Sequence, residues 1–111
     1  MDVLAAVAHV REHAAELSAD PERTALFGVS AGAHLVLLAG LAEDASVYDQ
    51  TWPKGESANV RAVVEIYGPT DFMVEPATVH PWQEELVTRF LGGSRTDLPA
   101  RWQEVSPCPL S

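Results

Sequence analysis

The residues with the clearest chemical potential are Gly28-Val29-Ser30-Ala31-Gly32, a G-x-S-x-G pattern. A serine hydroxyl is a poor nucleophile until a base takes its proton, an acid orients that base, and donors receive the oxyanion formed on attack. A sharp strand-to-helix turn serves this chemistry by lifting the serine oxygen clear of the sheet. Such a turn brings strand and helix backbones close, so the residues two before and two after the serine must be small, and Gly28 and Gly32 meet that requirement. A helix beginning at Ala31 would aim free backbone N–H groups and its positive dipole end at the reacting centre, making the Ala31 N–H one oxyanion donor. The bland reading is a glycine-rich turn that only packs, or one that cradles a phosphate. A phosphate loop would want a GKS or GKT ending, and a dinucleotide fingerprint wants glycine at three set positions; neither occurs.

The flanking sequence supplies the elements such a turn needs. Residues 3–17 carry Val3, Leu4, Val7, Val10, Ala14 and Leu17 at helical spacing, with Asp2 placed to act as N-cap and Arg11, Glu12 and Glu16 on the other side. Ser18-Ala19-Asp20-Pro21 ends that helix. Residues 24–29 form a short apolar run with the character of a buried strand. Residues 31–43 turn helical again, apolar almost all round, so this helix expects cover on most sides. The polar stretch 44–59, with Pro53 and Gly55, suggests a surface excursion. Val60 to Tyr67 reads as a second strand stopped by Gly68-Pro69. Strand, helix, strand in this order implies a βαβ crossover with parallel strands. Residues 72–82, interrupted by Pro76 and Pro81, read as irregular. A helix follows over 83–91, closed by Gly92-Gly93, and then a helical turn near 98–103.

With these elements in place a resemblance becomes specific. Asp20-Pro21-Glu22-Arg23, leading through Leu26-Phe27-Gly28-Val29-Ser30-Ala31-Gly32-Ala33-His34-Leu35, resembles the nucleophile region of the carboxylesterase and acetyl-esterase group of α/β-hydrolases. Tyr67-Gly68-Pro69-Thr70-Asp71-Phe72, Phe90-Leu91-Gly92-Gly93 and Val105-Ser106-Pro107 resemble the feruloyl-esterase-like (BD-FAE) branch. The match runs in order along almost the whole chain. Ala33 stands where that branch commonly has another glycine, a conservative departure. The resemblance implies an α/β fold: the central segment of an α/β-hydrolase, one truncated domain over residues 1–111 with an incomplete sheet. It also implies cleavage of a small-molecule carboxylic ester through an acyl-enzyme, without metal or organic cofactor.

The partners of Ser30 are harder to find. In this fold the order along the chain is Ser, acid, His. The resemblance places an HGGG-type oxyanion loop upstream of the first helix and the acid and histidine after later strands, beyond Ser111, so the chain is read as a fragment, weakly active or inactive alone. A secondary reading closes the triad internally as Ser30–Asp71–His80. Asp71 sits just past a strand end, His80 follows in the right order, and nine extended residues span roughly 30 Å. Against it, Asp71 belongs to the GPTDF motif, where the resemblance suggests a structural turn or cap, and His80 precedes Pro81 in an irregular loop. His34 is expected to pack or cap a loop. His9-Val10-Arg11-Glu12-His13 spells H-x-x-E-H, an inverted zinc-protease motif, which makes a zinc hydrolase a further rival. These residues are better explained as the solvent-facing side of an amphipathic helix. Trp52, Trp82 and Trp102 suit packing more than a sugar-binding surface.

Composition bounds the alternatives. Of 111 residues 47% are apolar and 21% charged, which is globular usage. Sixteen acids against seven bases give a formal charge of −9, which argues against nucleic acid and anionic lipid as partners. The single cysteine, Cys108, allows no internal disulfide and reads as incidental. No apolar run approaches a membrane span, and Met1-Asp2 opens the sequence without a basic region, so a cytoplasmic location is expected for the sequence as it begins here. Two parallel strands cannot shield their own edges or cover the helix over 31–43, so self-association through exposed sheet edges is expected. A non-catalytic binding module that keeps the turn as architecture is the main alternative to the esterase fragment.

Overall fold

The computed structural model describes residues 1–74 and 80–108. They fall in two compact units, Met1–Gly68 and Pro69–Ser111.

The first unit runs α1 (Asp2–Glu12), β1 (Ala25–Val29), α2 (Ala31–Leu41), a short 3-10 turn (Ala45–Val47) and β2 (Ala62–Ile66). The N-cap of α1 is Met1 rather than Asp2, which lies in the first turn, where its charge still faces the positive end of the helix dipole. The helix stops at Glu12, short of the expected residue 17. His13 leaves helical geometry (φ −104°, ψ 17°) and its Nδ1 donates to the His9 carbonyl at 2.9 Å, closing the last turn. Turns carry the chain onward: Ala14 stays buried while Leu17, at 55% exposure, has no core to join.

Strands β1 and β2 pair in parallel, with Ala25 opposite Ala62 and Val29 opposite Ile66, and α2 forms the crossover. The ladder is extended at one end by Arg61 N–H donating to Thr24 O at 2.8 Å and at the other by Ser30 N–H donating to Ile66 O at 3.0 Å. Helix α2 rides directly on the sheet: a Cβ on Gly40 would lie 2.3 Å from Val63 Cγ2. Six of its residues are buried, from Ala33 and His34 to Ala39, while Leu41 is open. The core joins Leu4 and Ala39 to Ala45 and Ala58, all fully buried. The stretch 44–59 is therefore more than a surface excursion. Ala45 and Ala58 anchor it in the core, Ala45 N–H donates to Glu56 O at 2.8 Å, and the Asp44 carboxylate accepts the Ser46 N–H at 3.0 Å. On the sheet face away from α2, Phe27, Val29, Val64 and Ile66 are exposed, the apolar surface expected of so small a sheet.

The second unit contains α3 (Pro81–Leu91) and α4 (Pro99–Glu104). Part of the expected irregular stretch, residues 75–79, lies outside the described residues. Helix α3 starts two residues earlier than expected because His80 caps it. The imidazole accepts from the Trp82 N–H, the Gln83 side chain accepts the His80 N–H at 3.1 Å, and Pro81 occupies the first turn, where a missing N–H costs nothing. Gly92 closes α3 in the left-handed region (φ 82°), with both its N–H and that of Gly93 donating to Thr88 O. Trp102 is the centre of this unit. It is 1% exposed, donates from Nε1 to Gly93 O at 3.1 Å, meets Phe72 edge-on, and carries the Arg95 guanidinium 5.2 Å above its ring. That placement makes it a packing residue.

Candidate active site

The end of β1 turns into α2 within one residue. Ser30 does this at φ 54°, ψ −119°, a conformation that a non-glycine residue adopts at a cost of about 1–3 kcal/mol. Two backbone bonds hold it there: its N–H donates to Ile66 O at 3.0 Å, and its carbonyl accepts the His34 N–H at 3.2 Å, the first bond of α2. Ser30 is thus the N-cap of α2. A serine in that position ordinarily accepts a helix N–H with its hydroxyl. Here the side chain makes no capping bond, and the residue is exposed. The hydroxyl is left available at the C-terminal end of a parallel strand, where open α/β sheets place their ligands.

The close approach that the turn requires is built by two glycines, one of them unforeseen. A Cβ on Gly28 would sit 2.4 Å from Gly32 O and 2.7 Å from Ala33 N, contacts with rigid backbone that no side chain survives. At Gly32, by contrast, a Cβ would meet nothing within 4 Å among the described residues. Among the described residues, close packing thus requires a glycine at 28, whereas position 32 has room for a methyl group. The second tight contact is Gly68, where a Cβ would lie 2.5 Å from Ala33 Cβ and 3.0 Å from His34 N. In the sequence Gly68 reads as a strand stop, and its place just past the strand that pairs with β1 is the signal for this closer role.

The structure brings Gly28, Ser30, Ala31 and Gly32 together. Asp71 and His80 belong to the second unit, where each has a local partner. Asp71 Oδ1 accepts the Met73 N–H at 2.7 Å, forming a turn of the kind expected for the GPTDF motif. His80 lies at a helix N-terminus rather than in an irregular loop, and its Nδ1 accepts the Trp82 N–H at 3.5 Å. A triad histidine must instead donate from Nδ1 to its acid. His34 is buried in α2. His9 and His13 stack on each other with ring centroids 4.2 Å apart. Among the described residues no group of three or more ligand-type side chains is placed to hold a metal ion. No helix among them is long and apolar enough to cross a membrane.

A parallel βαβ unit with a strained, uncapped serine at its first strand–helix junction defines an α/β protein built around that junction. Comparison with known families carries this further: the BD-FAE family model matches residues 1–110. The chain belongs to the BD-FAE family of α/β-hydrolases. It is similar to three proteins of Mycobacterium tuberculosis (strain ATCC 25618 / H37Rv). It is 39% identical to Esterase LipC over 65% of the chain and 18% of that protein. It is 32% identical to Esterase LipQ over 96% of the chain and 25% of that protein. It is 33% identical to Probable carboxylic ester hydrolase LipM over 82% of the chain and 21% of that protein. The chain thus spans about a fifth to a quarter of the length of these relatives. No solved structure matches it significantly.

Proposed function

We propose that the chain supplies the nucleophile segment of a carboxylic ester hydrolase. The Ser30 hydroxyl adds to the ester carbonyl as a base takes its proton, the Ala31 N–H donates to the oxyanion, and the alcohol leaves to give an acyl-enzyme that water then cleaves. No cofactor is needed for these steps. The observation that carries the reading is the strained N-cap of α2: Ser30 holds a costly backbone conformation without using its hydroxyl to cap the helix. Gly28 and Gly32 belong to the same nucleophile elbow. Asp71 and His80 serve a turn and a helix cap in this reading, so the acid and base come from other parts of a longer hydrolase. The 111-residue chain is then a weak catalyst by itself.

A fluorophosphonate probe tests this, because the oxyanion donors at the start of α2 alone should speed its covalent addition to Ser30, slowly, even where the base is absent. Slow labelling of the folded chain, mapped to Ser30, absent in Ser30→Ala and lost on unfolding in urea, is expected. A folded chain labelled no faster than the unfolded one would sink the reading. That result would favour the second reading, a non-catalytic module retaining the turn, which draws its support from the local engagement of Asp71 and His80.

The bare sheet face also supports self-association of the isolated chain. Sedimentation velocity should show concentration-dependent assembly that Phe27→Lys weakens; a monodisperse monomer at all concentrations would contradict it.

A further inference from the structure

We infer that Tyr67 is a wall of the ester site, its aromatic ring contacting the apolar part of an ester larger than acetyl; this rests on the reading of Ser30 as nucleophile. Tyr67 follows directly on Ile66, whose carbonyl receives the Ser30 N–H at 3.0 Å, so the serine and the tyrosine continue paired strands side by side. Both depart from the strands with positive φ, 54° at Ser30 and 41° at Tyr67. The other non-glycine residues with positive φ among those described, Ser18 and Asn59, are small and polar. For a bulky residue the left-handed region is a genuine outlier, and such strain gathers where a chain is shaped for a ligand.

The conformation is imposed from both sides. Upstream, the bond to Ser30 fixes the Ile66 carbonyl. Downstream, the Gly68 N–H donates to Glu65 Oε2 at 2.8 Å, and Gly68 is pressed against Ala33. Between these clamps the tyrosine stands 79% exposed, more than any other large apolar residue described. An aromatic ring on a strained backbone that is hydrogen-bonded on both sides and stands beside Ser30 offers a flat surface for an apolar or aromatic substituent. A glycine at 67 would relieve the strain.

Two fluorophosphonates, one methyl and one octyl, read the inference through their labelling rates at Ser30. The wild-type chain should prefer the octyl probe, and Tyr67→Ala should lower the octyl-to-methyl ratio by about tenfold, the range expected for losing one aromatic contact. Tyr67→Phe should keep the ratio. Tyr67→Gly should lower the ratio while raising resistance to urea, which a purely structural role would not do. A ratio unchanged in Tyr67→Ala overturns this inference and leaves Ser30 as nucleophile. Absence of labelling by both probes in the wild-type chain overturns the nucleophile reading, and this one with it.

Discussion

A Cβ atom placed on Gly68 would lie 2.5 Å from the Cβ of Ala33, so the end of β2 and the first turn of α2 approach more closely than two side chains permit. This contact fixes where β2 ends relative to Ser30. Gly68→Ala should therefore destabilise the chain by about 1–3 kcal/mol through overpacking. Ala33→Gly alone should cost about 1 kcal/mol of helix propensity. Combined, the two should be less destabilising than their sum by about 0.5 kcal/mol or more, because removing one methyl makes room for the other. Rescue stays partial, since the backbone of Ala33 and His34 remains close to position 68. Urea unfolding of the four proteins measures the cycle, and strict additivity would contradict the contact.

The two glycines of the G-x-S-x-G pattern should behave oppositely. Gly28→Ala drives a methyl into the backbone of Gly32 and Ala33, which cannot retreat without unseating the strand–helix junction, and should cost about 3 kcal/mol or more. Gly32→Ala meets open space in a helical position and should stabilise by up to about 1 kcal/mol. Denaturation midpoints decide the matter; equal losses at both positions would show that their environments are alike.

His80→Ala should lower stability by about 1 kcal/mol by uncapping α3, and His80→Asn should restore most of it, because asparagine is a strong N-cap. Fluorophosphonate labelling of Ser30 should be unchanged in both. Should both variants lose labelling while remaining folded, His80 would be the base and the Ser30–Asp71–His80 reading would replace the one argued above.

The strand–turn–helix around Ser30 was legible in the sequence because its determinants are local: an apolar run, small residues about the serine, and a helical run of alanine and leucine. The strain at Tyr67 was not, since it is set by partners distant in sequence, Ser30 through Ile66 and Ala33 through Gly68. Ala45 and Ala58 were hidden in a polar stretch without periodicity, where a lone alanine gives no sign of burial. The start of α3 was obscured because histidine is an uncommon cap, although Pro81 and Gln83 marked the first turn. Of the internal triad candidates, Asp71 is legible as a turn residue through the GPTDF motif, whereas the capping role of His80 depends on where α3 begins.

In the isolated 111-residue chain, with Met1 as its free amino terminus, Asp49 gives the first unit a pH dependence of definite sign. Its carboxyl is lowered from 3.8 to about 2, chiefly by the hydrogen bond from the Met1 ammonium, then by bonds from the Thr51 hydroxyl and N–H. The ammonium lies 2.8 Å from Oδ2, and the pair ties the start of α1 to the stretch after α2. Because the folded carboxyl binds a proton less readily than the unfolded one, the unfolded state takes up more protons below the ordinary value. The stabilisation is thus complete well above pH 3.8, declines as pH falls through that value, and is gone below about 2. Asp49→Asn should be less stable than the wild-type chain at pH 6, with the gap closing between those two values. Asp44, also lowered, chiefly by its bond from Ser46, contributes equally to both proteins and drops out of the difference. Urea unfolding from pH 6 to pH 2 reads that difference, and a gap that persists undiminished at pH 2 would show that the ion pair is not its source.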